Sequence, residues 1–346
     1  MSSMAPKKVK KINLALQGGG AHGAFTWGVL DRLLEEEDLE IEGISGTSAG
    51  AMNAAILAHG YAVGGRQKAK EALQSFWWEI SLLGKVFNPI RQTAVEKFDE
   101  PWNLDWSLSY TYYELMSHIL SPYQSNPMNL NPLKWVLEKS IDFTVFKDSK
   151  IKLFVAATSV RTGQPKIFNH AEITVDSLMA SACIPFIFQS VKIDDEFYWD
   201  GGYMGNPVLW PLIYNTKSDD IILVQINPLY REQIPQTAHD IANRLNEITF
   251  NSSLVAEMRA INFVSRLISQ GKLNPDDYKD VKIHMITDNE GMKQLNASSK
   301  LNTDWAFFKY LKAIGRDSTE QWLAQHKKDI TVQPSINIFE TFLRKK

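Results

Sequence analysis

Residues 12–23, INLALQGGGAHG, and residues 41–59, IEGISGTSAGAMNAAILAH, decide the fold. Each is an apolar run short enough to be a buried strand, then a glycine-rich turn, then the start of a helical pattern. In the first, Ile12 to Gln17 gives way to Gly18, Gly19 and Gly20. The stretch Gly23 to Glu37 then places Phe25, Val29, Leu30, Leu33 and Leu34 at the spacing of one buried helix face. In the second, Ile41 to Ser45 leads through Gly46 into Ala49 to His59, a helix whose small alanine side chains would let it lie close against a sheet.

Working outward, Ile151 to Thr158, Ile221 to Asn227 and Val281 to Thr287 also read as buried strands, and Thr237 to Gln270 and Asp304 to Lys327 as long helices. The alternation predicts an α/β fold, a three-layer α/β/α sandwich with a mostly parallel central sheet. Residues 61–140 interrupt it with Phe76, Trp77, Trp78, Pro89, Pro101, Trp102, Trp106, Tyr110, Tyr112, Tyr113, Pro122, Pro127, Pro132 and Trp135. An aromatic-rich helical insertion is expected there, either a lid over an apolar groove or a satellite core. The expected organisation is a flexible basic terminus at 1–10, one domain at 11–290 that carries the insertion, and a helical extension at 291–346 packed on that domain.

Composition narrows the function classes. In 346 residues, 44% are hydrophobic and 22% charged, which are globular values. The 37 Lys+Arg against 39 Asp+Glu leave a net charge of -2, so nucleic acid is not an expected partner. The single cysteine, Cys183, can form neither an internal disulfide nor a thiolate metal site alone, and its apolar neighbours make it a packing residue. Lys7, Lys8, Lys10 and Lys11 are read as a solvated terminus, and the apolar run that follows them is too short for a signal peptide. No run approaches the roughly 20 residues that span a bilayer, so a cytoplasmic location, peripheral at membranes, is the expectation.

The chemistry is expected at three turns. Gly18-Gly19-Gly20-Ala21-His22-Gly23 matches the dinucleotide pattern, but the end of the second strand carries Ser45 and Gly46 instead of the acid that would hold a ribose. Glu40 and Glu42 lie at that strand's other end. Gly46-Thr47-Ser48-Ala49-Gly50 is Gly-x-Ser-x-Gly at a strand-to-helix turn, the setting of a nucleophile elbow, with Gly46 and Gly50 relieving the crowding around Ser48. The histidines that follow, His59, His118, His170, His239, His284 and His326, have no setting that marks a base. Phe197-Tyr198-Trp199-Asp200-Gly201-Gly202 instead sets a carboxylate at the end of an aromatic strand, where Gly201 and Gly202 turn the chain away.

These three motifs in this order resemble the patatin-like phospholipases, acyl hydrolases with a Ser-Asp dyad and no catalytic histidine. Ala180-Ser181-Ala182-Cys183-Ile184-Pro185-Phe186 and Asn206-Pro207 also look like stretches of that family, and the resemblance runs from about Lys11 to Ile286. It implies Ser48 as nucleophile, Asp200 as dyad acid and the loop of Gly18, Gly19, Gly20 and Gly23 as oxyanion hole. One departure stands out: many relatives have Arg or Lys where this chain has His22. The resemblance further implies cleavage of fatty-acyl esters, of phospholipase A or lysophospholipase type, at a membrane surface or lipid aggregate and without metal or cofactor. Two alternatives stay open at this point: a Ser-His-Asp carboxylesterase, and a nucleotide-binding or regulatory module built on the glycine loop.

Overall fold

The computed structural model describes residues 9–90, 92–93, 96, 102–105, 107–288 and 290–344. Lys7 and Lys8 of the basic terminus and Pro101 and Trp106 of the aromatic stretch lie outside the described residues, as do the side chains of His118 and His239.

Eight strands form one sheet: β1 Lys10–Leu16, β2 Leu39–Thr47, β3 Lys152–Ser159, β4 Pro165–Asn169, β5 Val191–Ile193, β6 Glu196–Asp200, β7 Asp220–Val224 and β8 Lys282–Ile286. The order is β5-β6-β3-β2-β1-β7-β8, with β4 also on β3. The centre is parallel, with β1 between β2 and β7, β3 beyond β2 and β8 beyond β7. The β4, β5 and β6 strands pair antiparallel, a local meander that the reading of continuous apolar runs did not anticipate.

Among the described residues the α-helices longer than one turn are α1 Gly23–Leu33, α2 Ala49–Phe87, α3 Leu108–Ile119, α4 Pro132–Ser140, α5 Val175–Ser181, α6 Trp210–Asn215, α7 Ala238–Ser269 and α8 Trp305–His326. Alternate residues of the central strands feed two cores, as the two-residue period of a strand requires. Leu14, Leu16, Ile44, Val155 and Ile222 join α1, α2 and α8 in one core. Ala15, Phe154, Ile221, Leu223 and Ile283 join α6 and α7 in the other. The architecture is therefore the expected three-layer α/β/α sandwich.

One boundary moves. The helix read as Ala49 to His59 runs on to Phe87, bent where Gly65 takes φ 69. Gly64 and Gly65 make a kink and not an end, because the chain beyond them again carries a buried stripe, Ala69, Leu73, Phe76 and Trp77. The Trp77 indole donates to Asn53 Oδ1 at 3.1 Å and Asn53 Nδ2 to the Gly23 carbonyl at 2.9 Å, so the second leg of α2 is tied to the first and to α1.

Candidate active site

Ser48 closes β2 and opens α2 at φ 53 and ψ -124, a conformation that costs a non-glycine residue roughly 1–3 kcal/mol and persists only where its surroundings enforce it. The enforcement is visible. The Ser48 amide donates to Ser181 Oγ at 2.9 Å, and a Cβ at Gly50 would come within 2.2 Å of the Leu16 carbonyl oxygen, so no larger residue lets the elbow sit on β1. A Cβ at Gly46 would likewise strike Gly50, and one at Gly18 would strike the Thr47 carbonyl and the Ser48 side chain. The positive end of α2 points at the serine.

Asp200, the last residue of β6, is almost wholly buried, and its Oδ1 accepts the Gly202 N–H at 2.7 Å. Its own amide donates to the Cys183 carbonyl at 2.8 Å. The last residue of α5, Ser181, thus holds the elbow and Cys183, just after the helix, holds the acid, a link that the apolar look of Ala180 to Phe186 does not betray. Gly201 lies against the Ala156 carbonyl and Gly202 against the Phe250 ring, so both positions are closed to side chains. Burial raises the Asp200 carboxyl. The Gly202 N–H, hydrogen bonding from the Ser48 side chain and the positive charge of Lys300 draw it back, and it rests at about 6. Burial also pushes the Cys183 thiol up to about 12, so Cys183 stays neutral.

The glycine loop folds as a single tight turn, Gly20–His22, leading into α1. The Gly18 amide donates to Asn206 Oδ1 at 2.6 Å, and the Gly23 amide to the carbonyls of Gly20 and Ala21. Gly18 and Gly23 therefore shape the turn and keep no free donor for a ligand. Gly20, at φ 57, lines the cavity that also exposes Ser48, with Gly19 beside it. Asn206 fixes the loop from the far side of the sheet's edge, and Gln17 Nε2 donates to its carbonyl at 3.1 Å.

That cavity, about 630 Å³, runs from Ser48 beneath the second leg of α2 and α3, between Met52, Trp77, Leu83, Tyr113, Met116, Leu133, Ile187 and Phe308. Residues from the aromatic stretch line it on one side. Among the described residues no histidine does. His22 is buried with Nε2 2.7 Å from Ser299 Oγ, and burial with the charges of Lys300 and Arg231 holds it well below the usual histidine range, hence neutral. His170 bonds the Phe146 carbonyl and His326 bonds Asp329. His284 pairs with Asp220 at 2.9 Å, but Asp220 begins β7, at the opposite end of the parallel strands from Ser48. Glu42 accepts the amides of Lys217 and Ser218, again away from the glycine loop. Among the described residues no group of three His, Cys, Asp or Glu side chains could hold a metal ion.

Sequence reading missed Lys300. It lies in the 3₁₀ turn Ala297–Leu301 and lines the cavity with Ser48. The polar run Asn296 to Thr303 gave no signal that it would enter the site.

The chain is 23% identical over 334 residues, 93% of its own length and 97% of the other's, to an uncharacterized protein, R571, of Acanthamoeba polyphaga mimivirus. Among solved structures it is similar to VipD from Legionella pneumophila, with TM-score 0.42, 14% identity and coverage of 98% of this chain and 73% of that one. It is also similar to the type III effector ExoU, with TM-score 0.36, 14% identity and coverage of 93% and 54%. The sequence model of the family described as patatin-like phospholipase matches residues 14–213, which hold the glycine loop, Ser48 and Asp200. The chain belongs to the patatin-like phospholipase family, and with that to the enzymes that hydrolyse lipids.

Proposed function

We propose that this enzyme cleaves fatty-acyl esters of glycerophospholipids, as a phospholipase A or lysophospholipase, through a Ser48-Asp200 dyad and an acyl-serine intermediate. The observation that carries the reading is one strained serine facing both a buried carboxyl and a long apolar cavity. Asp200 takes the Ser48 proton as Oγ bonds to the ester carbonyl carbon, and the amides of Gly19 and Gly20 are the donors for the oxyanion, each worth roughly 3–4 kcal/mol when well placed. The bond to the leaving alcohol then breaks as Asp200 returns the proton to it. Water, deprotonated by the same carboxylate, adds to the acyl carbon, the bond to Ser48 Oγ breaks as Asp200 returns that proton to Oγ, and the fatty acid leaves. The acyl chain occupies the cavity. Nothing in these steps calls for a metal or cofactor.

Incubation of a mixed lipid extract with wild type and Ser48→Ala, with products followed by mass spectrometry, tests this. Free fatty acid and lysolipid should appear with wild type alone. Equal product from both, or none from either together with no labelling of Ser48 by a fluorophosphonate, overturns it.

The acid limb carries a pH prediction. The carboxylate is the competent form and Asp200 rests at about 6, so the rate on a soluble short-chain ester rises with pH to an inflection near 6 and is largely lost below pH 5.

Contact with a lipid surface follows from α3. Its inner residues Tyr113 and Met116 face the cavity. Leu108, Tyr112, Leu115 and Ile119, at spacings of four, three and four, form a second apolar stripe exposed at 84%, 66%, 58% and 62%. A helix apolar on both sides suits a bilayer above and an acyl chain below. The double substitution Leu115→Asp with Ile119→Asp should raise the vesicle concentration at half-maximal rate about tenfold, with hydrolysis of a soluble ester as the control. Among the described residues no helix is long and apolar enough to cross a membrane.

A further inference from the structure

Ser48 lines the cavity but is only 7% exposed, so a substrate arriving from solution meets a nucleophile that is nearly covered. Two walls meet at the rim of the cavity, where Leu130 and Phe186 are 48% and 63% exposed. One is the turn between α3 and α4, which contributes Ser125, Asn126 and Leu130. The other is the segment after α5, which contributes Ile184, Phe186, Ile187 and Phe188. Two hydrogen bonds join them: Gln189 Nε2 donates to the Asn126 carbonyl at 2.8 Å, and the Tyr123 and Ser190 hydroxyls lie 2.9 Å apart.

The two sides of this bridge differ in firmness. Gln189 is anchored from behind, since its carbonyl accepts from Cys183 Sγ at 3.1 Å and the Cys183 carbonyl holds the amide of Asp200. That wall is continuous with the catalytic segment. Across the rim, Pro122 is the one buried residue of 121–130. The turn is organised within itself: Gln124 Oε1 accepts the Ser121 amide at 3.0 Å around the single helical turn Pro122–Ser125, and the Asn126 side chain exchanges two bonds of 2.9 Å with the backbone of Leu130. A piece rich in internal hydrogen bonds and poor in buried apolar contact opens as a unit at small free-energy cost. Water competes for the exposed bond between Tyr123 and Ser190, which weakens the hold further. The same turn offers apolar surface outward, with Tyr123 and Met128 exposed at 57% and 77%, and it follows directly on the exposed stripe of α3.

We propose, resting on the hydrolase reading above, that residues 121–130 are a latch: seated on Gln189 and Ser190 they close the rim of the cavity over Ser48, and a lipid surface that takes up Tyr123, Met128 and Leu130 draws them off those two bonds and admits the acyl chain. The enzyme is thereby quiet in solution and active where its substrate is packed.

The test is the rate at which a fluorophosphonate labels Ser48, with and without vesicles of a diether phosphatidylcholine, which has no ester to cleave. Wild type should label slowly alone and about tenfold faster with vesicles. Tyr123→Phe combined with Gln189→Met removes both bonds and keeps the bulk of the side chains. It should label without vesicles at close to the rate wild type reaches with them, two such bonds together being worth about tenfold in an equilibrium. Tyr123→Cys with Ser190→Cys, bridged by a reducible bismaleimide, gives the converse reading and covers the case in which the first pair does not fold. The bridged protein should lose its response to vesicles and recover it on reduction, while the buried, neutral Cys183 is spared. Wild-type labelling that vesicles leave unchanged, a Tyr123→Phe/Gln189→Met protein no faster than wild type without them, or a bridged protein that still responds, overturns the latch and leaves the dyad standing. No labelling of wild type in either condition brings down instead the reading on which the latch rests.

Discussion

If the proposed dyad operates, Ser48→Ala and Asp200→Asn should each reduce ester hydrolysis by about 10³-fold or more, and combining them should cost little beyond either alone. The alanine removes the oxygen proposed to attack. The asparagine keeps the shape of the acid and the bond from Gly202 but cannot accept a proton, and general-base assistance is worth roughly 10² to 10⁴ in rate. Non-additivity is the mark of groups that act as one unit. Stability should move the opposite way. The folded Asp200 rests at about 6, above its ordinary 3.8, so its contribution to folding is fully present below pH 3.8 and is lost as pH rises through 6. Asp200→Asn is therefore expected to melt higher than wild type at pH 8, by up to about 3 kcal/mol, with the gap closing toward pH 4. Ser48→Gly should gain about 1 kcal/mol as well, since glycine relaxes at φ 53. Thermal melts of both variants at the two pH values check the sign, and melting temperatures below wild type at pH 8 would count against strain and burial as features of this site.

The second large effect concerns the seam between α1 and α8. A Cβ on Gly28 would sit 2.1 Å from the Lys312 carbonyl oxygen, and one on Gly315 2.1 Å from the Phe25 carbonyl oxygen. Backbone meets backbone on both sides, so no flexible side chain can give way. In an open helix interior glycine to alanine gains about 1 kcal/mol. Here Gly315→Ala should lose about 3 kcal/mol or more, the scale of a serious overpacking, and lower the melting temperature by roughly 10 °C. Because α8 follows closely on the turn that holds Lys300, prising the helices apart should also weaken activity below the melting range. Calorimetry and esterase assays on Gly315→Ala read both, and a variant as stable as wild type would refute the close seam.

The strands at the centre were legible because each is buried on both faces and reads as a mainly apolar run, Ile12 to Leu16, broken only by Asn13, or Ile221 to Val224. The elbow was legible because only glycine fits at Gly46 and Gly50. The three-residue strand Val191–Ile193 was not, since so short a piece, half exposed, carries no period. Nor was the continuation of α2 past His59, because Gly64 and Gly65 leave helical geometry inside it. Lys300 was invisible for a different reason: a lysine among Asn296, Ser298, Ser299 and Asn302 has the composition of a solvated loop. Its approach to Gly20 depends on contacts nearly 300 positions apart along the chain, which no local pattern encodes.

The place of β1 has a consequence for how such a molecule can be cut and varied. The strand that launches the glycine loop pairs with β2 along its whole length and with β7 from Asn13 to Leu16, and β7 begins at Asp220, just past the segment common to the family. A protein ending near 213 would leave the central strand with a raw edge of unpaired amides, inviting it to zip onto a neighbour and aggregate. The tolerant places for excision or grafting lie elsewhere, at solvent-facing bends such as the one around Gly163, where an added side chain meets nothing within 4 Å.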